Sequence, residues 1–415
     1  MASPIRTVAE HRRIVLDQIQ LKRTVDVQPL AVEGLTLRED AQATFPVPPF
    51  VNSSMDGFAV RFEDVRSASA DSPVTLRVTA DIPAGVNIDP PLEAGEAIRI
   101  MTGSPMPNAA DTIVPFEDTI GGLADSLADI TITAAPKKVG SFVRHAGEDV
   151  TIGDVVLTAG TVLGPRQIAS LVATGVKTVT VSSRPKVAIL STGTELVAAG
   201  EPLERGQIPD TNGNLLAGLA RAVGAEIHAV ISVPDDTSLF RQHLDNLLSE
   251  GVDVVCFSGG VSAGAYEVVR NTLSESGEMQ FGPVAMQPGK PQGFGVSASG
   301  ALLFGLPGNP VSSAVSFEAF VRPALVAMQG RSDIDKPRLR LRVSSGWACP
   351  PNREQYVPVV IDRSNPETWS VAPATEAHSA SHLIGTLGLA EALAIVPAET
   401  EEIHAGDFVD VVALP

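Results

Sequence analysis

Between Arg184 and Gly330 one arrangement recurs: an apolar run, a loop of Gly, Ser, Pro or carboxylate residues, then a stretch with helical apolar spacing. Repetition of that kind restricts this part of the chain to a doubly wound α/β architecture, because parallel strands need crossover helices between them. The most informative loop is Ser258-Gly259-Gly260-Val261-Ser262-Ala263-Gly264, after Val254-Val255-Cys256-Phe257 and before a helical stretch at 266–276. Glycines at a strand end let main-chain N–H groups approach a ligand, and the helix start that follows attracts anions. Open α/β sheets bind ligands at the carboxyl ends of their strands. An anionic small molecule is therefore expected at this loop.

The rest of the α/β reading follows the same periodicity. A strand is expected at 186–190. Leu215, Leu216, Leu219 and Val223 form a helical stripe closed by Gly224, and a strand follows at 227–233. Phe240, Leu244, Leu247 and Leu248 form a second stripe ended by Gly251. After a strand at 301–304, Asn309 is placed to cap a helix that begins with Pro310. Outside this region the text changes. Residues 4–24 read as a helix, with Val8, Val15 and Ile19 for packing and a capping box in Thr7-Val8-Ala9-Glu10. Prolines such as Pro46, Pro48, Pro73 and Pro83 punctuate short alternating runs (Thr75-Leu76-Arg77-Val78), the pattern of an inserted β domain. Val155-Val156-Leu157 reads as a strand and 165–174 as a helix; beyond Lys336 alternation returns, through Arg338-Leu339-Arg340-Leu341-Arg342-Val343 to 408–414. The expected organisation is 1–45 with 141–183, an insert at 46–140, the α/β domain at 184–330 and a C-terminal β domain at 336–415.

Charge narrows the functional classes. Lys plus Arg number 30 against 48 for Asp plus Glu, a formal net charge of −18. That balance argues against a nucleic-acid surface, which needs basic patches to displace counterions. It also poses a problem for an anionic ligand, which a divalent cation bridging carboxylates to phosphate or oxyanion oxygens could solve; for most of these residues the excess charge simply serves solubility. Two cysteines, Cys256 and Cys349, cannot build a disulfide framework, and Cys256 in a buried strand reads as an apolar filler. No signal core is visible and no apolar run approaches the roughly 18 residues of a membrane span. No membrane role and a cytoplasmic location are expected.

Four loops should share one edge of the sheet: Ser191-Thr192-Gly193-Thr194-Glu195, Pro234-Asp235-Asp236, the 258–264 loop with its Ser258, Gly259, Gly260, Ser262 and Gly264, and Leu306-Pro307-Gly308-Asn309-Pro310. Carboxylates recur at these ends in Glu195, Asp210, Asp235 and Glu267. Each has a structural alternative. Asp235 or Asp236 could cap a helix, with capping favoured for Asp236; Asp210 could make an Asx turn; Glu267 could answer the dipole of a first helical turn. Converging, these carboxylates could instead coordinate Mg²⁺ with water and phosphate oxygens. The sequence leaves both open. In Gln287-Pro288-Gly289-Lys290-Pro291 one cation stands between two prolines, placed to meet an oxyanion. His378 and His382, four apart, lack a third ligand and read as incidental.

Taken together these strings resemble the bacterial molybdopterin molybdenumtransferase family, which is related to the E domain of gephyrin. The likeness runs through Met55-Asp56-Gly57-Phe58-Ala59-Val60, Met101-Thr102-Gly103, Gly147-Glu148-Asp149, Ser191-Thr192-Gly193-Thr194-Glu195-Leu196, Asp210-Thr211-Asn212, the 258–264 loop, Pro288-Gly289-Lys290-Pro291, and Leu306-Pro307-Gly308-Asn309-Pro310-Val311-Ser312. The resemblance implies an elongated four-part homodimer with a C-terminal β-barrel-like domain. It implies insertion of molybdate into the dithiolene of adenylyl-molybdopterin, with Mg²⁺-dependent release of AMP, in concert with other cofactor-biosynthesis proteins. By that likeness Asp56, Thr102, Asp149, Glu195, Asp235 and Glu267 line the site, some from the partner subunit, while Lys290, Ser312, Arg353 and Ser381 match molybdate positions. Two departures stand out: relatives commonly carry Lys where this chain has Gln287, and Asp where it has Glu267. Rival readings are a molybdopterin adenylyltransferase, which the flanking β domains disfavour, and a gephyrin-like scaffold, which the intact carboxylate set disfavours.

Overall fold

The computed structural model describes residues 5–124, 126–261, 267–375 and 384–415. Its central sheet has six strands in the order Glu226–Val233, Lys186–Thr192, Val254–Ser258, Leu302–Leu306, Pro291–Val296, Met279–Pro283. The first four run parallel. The last two are antiparallel additions from a Gly- and Pro-rich stretch whose text lacks strand alternation. Along the parallel strands, Val187, Ile189, Cys256 and Phe304 join one apolar cluster while Ala188, Leu190, Val255 and Leu303 join another. Alternate residues thus feed two cores, one on each face, which is why these strands read as continuous apolar runs. The helix Asn212–Ala222 leads to the edge strand Glu226–Val233, and Thr237–Ser249 leads back across to Val254–Ser258. The winding direction reverses beside Lys186–Thr192, so the crevice at its carboxyl end is the switch point.

The N-terminal helix spans Val8–Leu16 and carries the expected capping box, but it stops well short of residue 24. Thr24–Val27, with its β-branched residues, instead pairs antiparallel with Val179–Ser182. Ala41–Gln42 pairs with Val155–Leu157, joining the segments before and after the insert, and Asn52–Ser53 near the start of the insert pairs with Val143–Arg144 just beyond its end. Between them lies a six-stranded sheet ordered Thr112–Pro115, Gly57–Val60, Glu96–Ile100, Val74–Ile82, Asp129–Ile132, Thr119–Ile120.

At the C-terminus Leu339–Val343, Phe408–Ala413, Ala392–Val396, Glu354–Asp362 and Ser370–Pro373 pair in a closed ring, a small β barrel. Met286–Gln287 pairs parallel with Glu354–Gln355, so the loop carrying Lys290 leaves the α/β region against the barrel wall. One expectation needs correction. The helical run Pro310–Met328, 19 residues long, reaches span length by size and hydropathy. It is a core element: 83% of its apolar window is buried, and Val315, Phe317, Phe320 and Leu325 are enclosed in the first cluster.

Candidate functional site

A cleft of about 750 Å³ opens at the carboxyl ends of the parallel strands. It gathers Ser191, Thr192, Gly193, Glu195, Asp210, Asp235, Ser258, Gly259, Gly260, Glu267, Pro307, Gly308, Asn309 and Pro310. All four loops singled out in the sequence therefore meet there. A smaller opening of about 510 Å³, between Asp40, Phe45 and Lys177, carries none of these residues. Four carboxylates face the cleft, and among its described lining residues there is no Lys, Arg or His. The described lining offers an anion main-chain amides and helix ends.

Local interactions explain how the loops are held. Gly259 (φ +90°) and Gly260 (φ +66°) take left-handed backbone, and a Cβ on Gly259 would lie 2.6 Å from the Thr192 carbonyl oxygen. Only glycine permits this approach of the two loops. Asp210 Oδ1 accepts from the Gly213 N–H (3.0 Å) and from Ser191 Oγ (3.2 Å). It satisfies a free donor at the start of the Asn212–Ala222 helix, where Thr211 makes no side-chain cap. Asp235 Oδ2 accepts from both the N–H and the hydroxyl of Thr194, at 3.2 and 3.3 Å, locking its loop to the first. Asp236 caps Thr237–Ser249 through the Leu239 N–H at 2.9 Å, the role expected of it. Glu267 occupies the N-cap position of Val268–Glu275, one residue before the first turn expected to hold it. Asn309 precedes Pro310–Ser316 in the same way, with Pro310 as first helical residue. Cys256 is fully enclosed, and burial pushes its thiol far above the ordinary range, as suits a filler rather than a nucleophile.

Other candidates lie outside the cleft lining. In the inserted sheet region Asp56 Oδ1 accepts from the Thr102 N–H (2.6 Å) and hydroxyl (2.7 Å), so two residues far apart in sequence form one unit. The N–H bond, then the hydroxyl bond, hold the Asp56 carboxyl below its usual pKa. Asp149 is exposed on a turn, its N–H donating to the Val47 carbonyl at 2.9 Å. Lys290 is exposed beside Pro291, which does line the cleft. Arg353 Nη1 donates to Gln287 Oε1 at 3.0 Å, so the Gln287 side chain is paired with a molybdate candidate. Ser312 is buried in its helix. Ser262, Gly264, Ser381, His378 and His382 lie outside the described residues. The sequence reading quoted Asn212 within a motif but gave it no role; its buried amide donates from Nδ2 to Ser258 Oγ and to the Gly308 carbonyl, each at 2.7 Å.

Three family models match consecutive parts of the chain: the MoeA N-terminal region (domain I and II) over 6–175, the probable molybdopterin binding domain over 188–327, and the MoeA C-terminal region (domain IV) over 340–414. Molybdopterin molybdenumtransferase 2 of Mycobacterium tuberculosis is 38% identical over 408 residues, covering 97% of this chain and 98% of that protein. The chain belongs to the molybdopterin molybdenumtransferase family. A second relative of that name, from Nostoc, is 35% identical over 96% of this chain and 90% of its own length. Among solved structures, a molybdopterin biosynthesis MoeA protein from Pyrococcus horikoshii superposes with TM-score 0.82 at 28% identity, covering 99% of this chain and 100% of that one.

Proposed function

We propose that this chain completes the molybdenum cofactor by inserting molybdate into the dithiolene of adenylyl-molybdopterin and releasing AMP. Its family makes it a transferase of molybdenum cofactor biosynthesis. The observation that carries the finer reading is the cleft itself: a glycine loop, helix N-termini and four carboxylates converge where an adenylated, pyrophosphate-linked pterin presents its charge. The glycine pair, free of Cβ, offers amides to the ligand, and the Asn212–Ala222, Val268–Glu275 and Pro310–Ser316 helices point their positive ends toward the same loops. Asp235, oriented by Thr194, and Glu267 present hard oxygen donors. Among the described residues no three His, Cys, Asp or Glu side chains gather into a full metal cage. That donor set suits Mg²⁺, which keeps several waters and takes one or two protein carboxylates plus substrate phosphate. Asp235 and Glu267 would hold it, and when bound it polarises the phosphoanhydride. The remaining work needs no protein nucleophile: water attacks phosphorus and the anhydride P–O bond breaks to release AMP, while the dithiolene sulfurs replace molybdate oxygen, which leaves as water with the thiol protons.

Asp56 with Thr102, and Asp149, do not line the cleft, which fits a homodimer in which they complete the site of the partner subunit. Lys290, Ser312, Arg353 and Ser381 serve the molybdate side; of these, Lys290 and Arg353 lie near the junction of the α/β region with the barrel. On this reading the functional units are 1–45 with 141–183, 46–140, 184–330 and 336–415, acting in the cytoplasm. Asp235→Asn should abolish AMP release from adenylyl-molybdopterin in the presence of molybdate while thermal unfolding stays close to wild type. Unchanged turnover removes Asp235 from the mechanism. Accumulation of adenylyl-molybdopterin from ATP and molybdopterin, without molybdate, would instead favour an adenylyltransferase.

A further inference from the structure

We infer that Asn212 is a positioning residue of the cleft, fastening the glycine loop and the 306–310 loop in the geometry that receives the pterin ligand. The inference rests on the functional reading above. Asn212 is the first residue of the Asn212–Ala222 helix, yet its side chain does not cap that helix; Asp210 supplies the bond to Gly213. The amide reaches across the cleft instead. Its Nδ2 spans two different strand ends, donating to Ser258 Oγ at the end of Val254–Ser258 and to the Gly308 carbonyl after Leu302–Leu306. The orientation is fixed chemically, because a carbonyl only accepts and Nδ2 must face it.

Two consequences follow for the ligand. Ser258 Oγ, once it accepts from Asn212, keeps its own hydrogen to donate. Asn212 Oδ1 and Thr192 Oγ1 are enclosed and have no partner among the described residues. Asn212 is 8% exposed and Thr192 6%, so bulk water does not compensate them. Both oxygens lie behind the cleft surface, so Asn212 acts on a ligand through the two loops that its Nδ2 fastens. Loss of the Nδ2 clamp should loosen both loops at once and weaken ligand binding more than it slows the bound complex.

The test compares full-length wild type with Asn212→Ala, Asn212→Asp and Ser258→Ala, measuring equilibrium binding of molybdopterin, KM and kcat for AMP release, and thermal midpoint. Asn212→Ala should raise Kd and KM roughly tenfold, with a smaller change in kcat and a near-native midpoint. Asn212→Asp keeps the volume but sets a carboxylate against the Gly308 carbonyl; its deficit relative to wild type at the same pH should shrink as pH falls and the acid form regains a donor. The Asn212→Ala and Ser258→Ala effects should be less than additive, because they break one shared bond. Wild-type affinity in all variants, or losses that follow the midpoint alone, would overturn the positioning role. Failure of wild type to bind molybdopterin would overturn the functional reading and this inference together.

Discussion

At the residue scale the clearest consequence of burial is His11. It is 2% exposed, edge-on to Phe294 and Phe320, and burial, reinforced by the Arg6 charge, lowers its pKa to about 4. The neutral ring is the native form. An unfolded histidine titrates near 6.5, so this contribution to stability is complete above that pH and is lost progressively as pH falls from 6.5 toward 4. Between pH 7 and 4.5 the loss should be roughly 2–3 kcal/mol from this group. Denaturant unfolding at both pH values should show a smaller difference in His11→Gln; an equal difference would remove His11 as the source. Gly259→Ala addresses the cleft directly. A methyl 2.6 Å from the Thr192 carbonyl at φ +90° must displace a loop, at about 1–3 kcal/mol, and weaken ligand binding. A variant with native stability and affinity would show that the close approach is dispensable. Gln287→Lys adds charge beside Arg353 and Lys290 and should lower KM for molybdate without altering that for the pterin substrate; a raised molybdate KM would contradict the placement of the oxyanion there.

Elements show what the sequence could and could not disclose. The four loops of the cleft were legible because strand runs and helical stripes bracket each one, and the chain itself marks where a strand end must lie. Asp236 was legible too, since a cap acts within its own turn: Asp236→Ala should cost about 1 kcal/mol in thermal or denaturant unfolding and leave ligand affinity unchanged. A loss of affinity would mean that the cap also sets the Asp235 loop. The clamp at Asn212 was hidden because its partners lie 46 and 96 residues away. The same distance effect concealed the joining of Asp56 to Thr102, which only a resemblance suggested. Met279–Pro283 and Pro291–Val296 were invisible because glycine and proline dilute their alternation, and they are defined as strands by their pairing partners. The N-terminal helix overran in the reading because nothing in the text after Leu16 names a stop; the competing pairing of Thr24–Val27 sets the boundary.

For the whole molecule the account divides labour. The α/β region carries the cleft, the barrel wall meets the Met286–Gln287 segment, and the inserted sheet carries the Asp56–Thr102 unit. The central claim is that an anionic cofactor binds an acidic cleft through main-chain dipoles and a carboxylate-held cation. Its most direct test is a crystal of the full chain soaked with AMP, Mg²⁺ and molybdate. The account predicts adenylate density against Gly259, Gly260 and Gly308, and a cation between Asp235 and Glu267. Adenylate bound at another surface, with this cleft left to solvent, would contradict it.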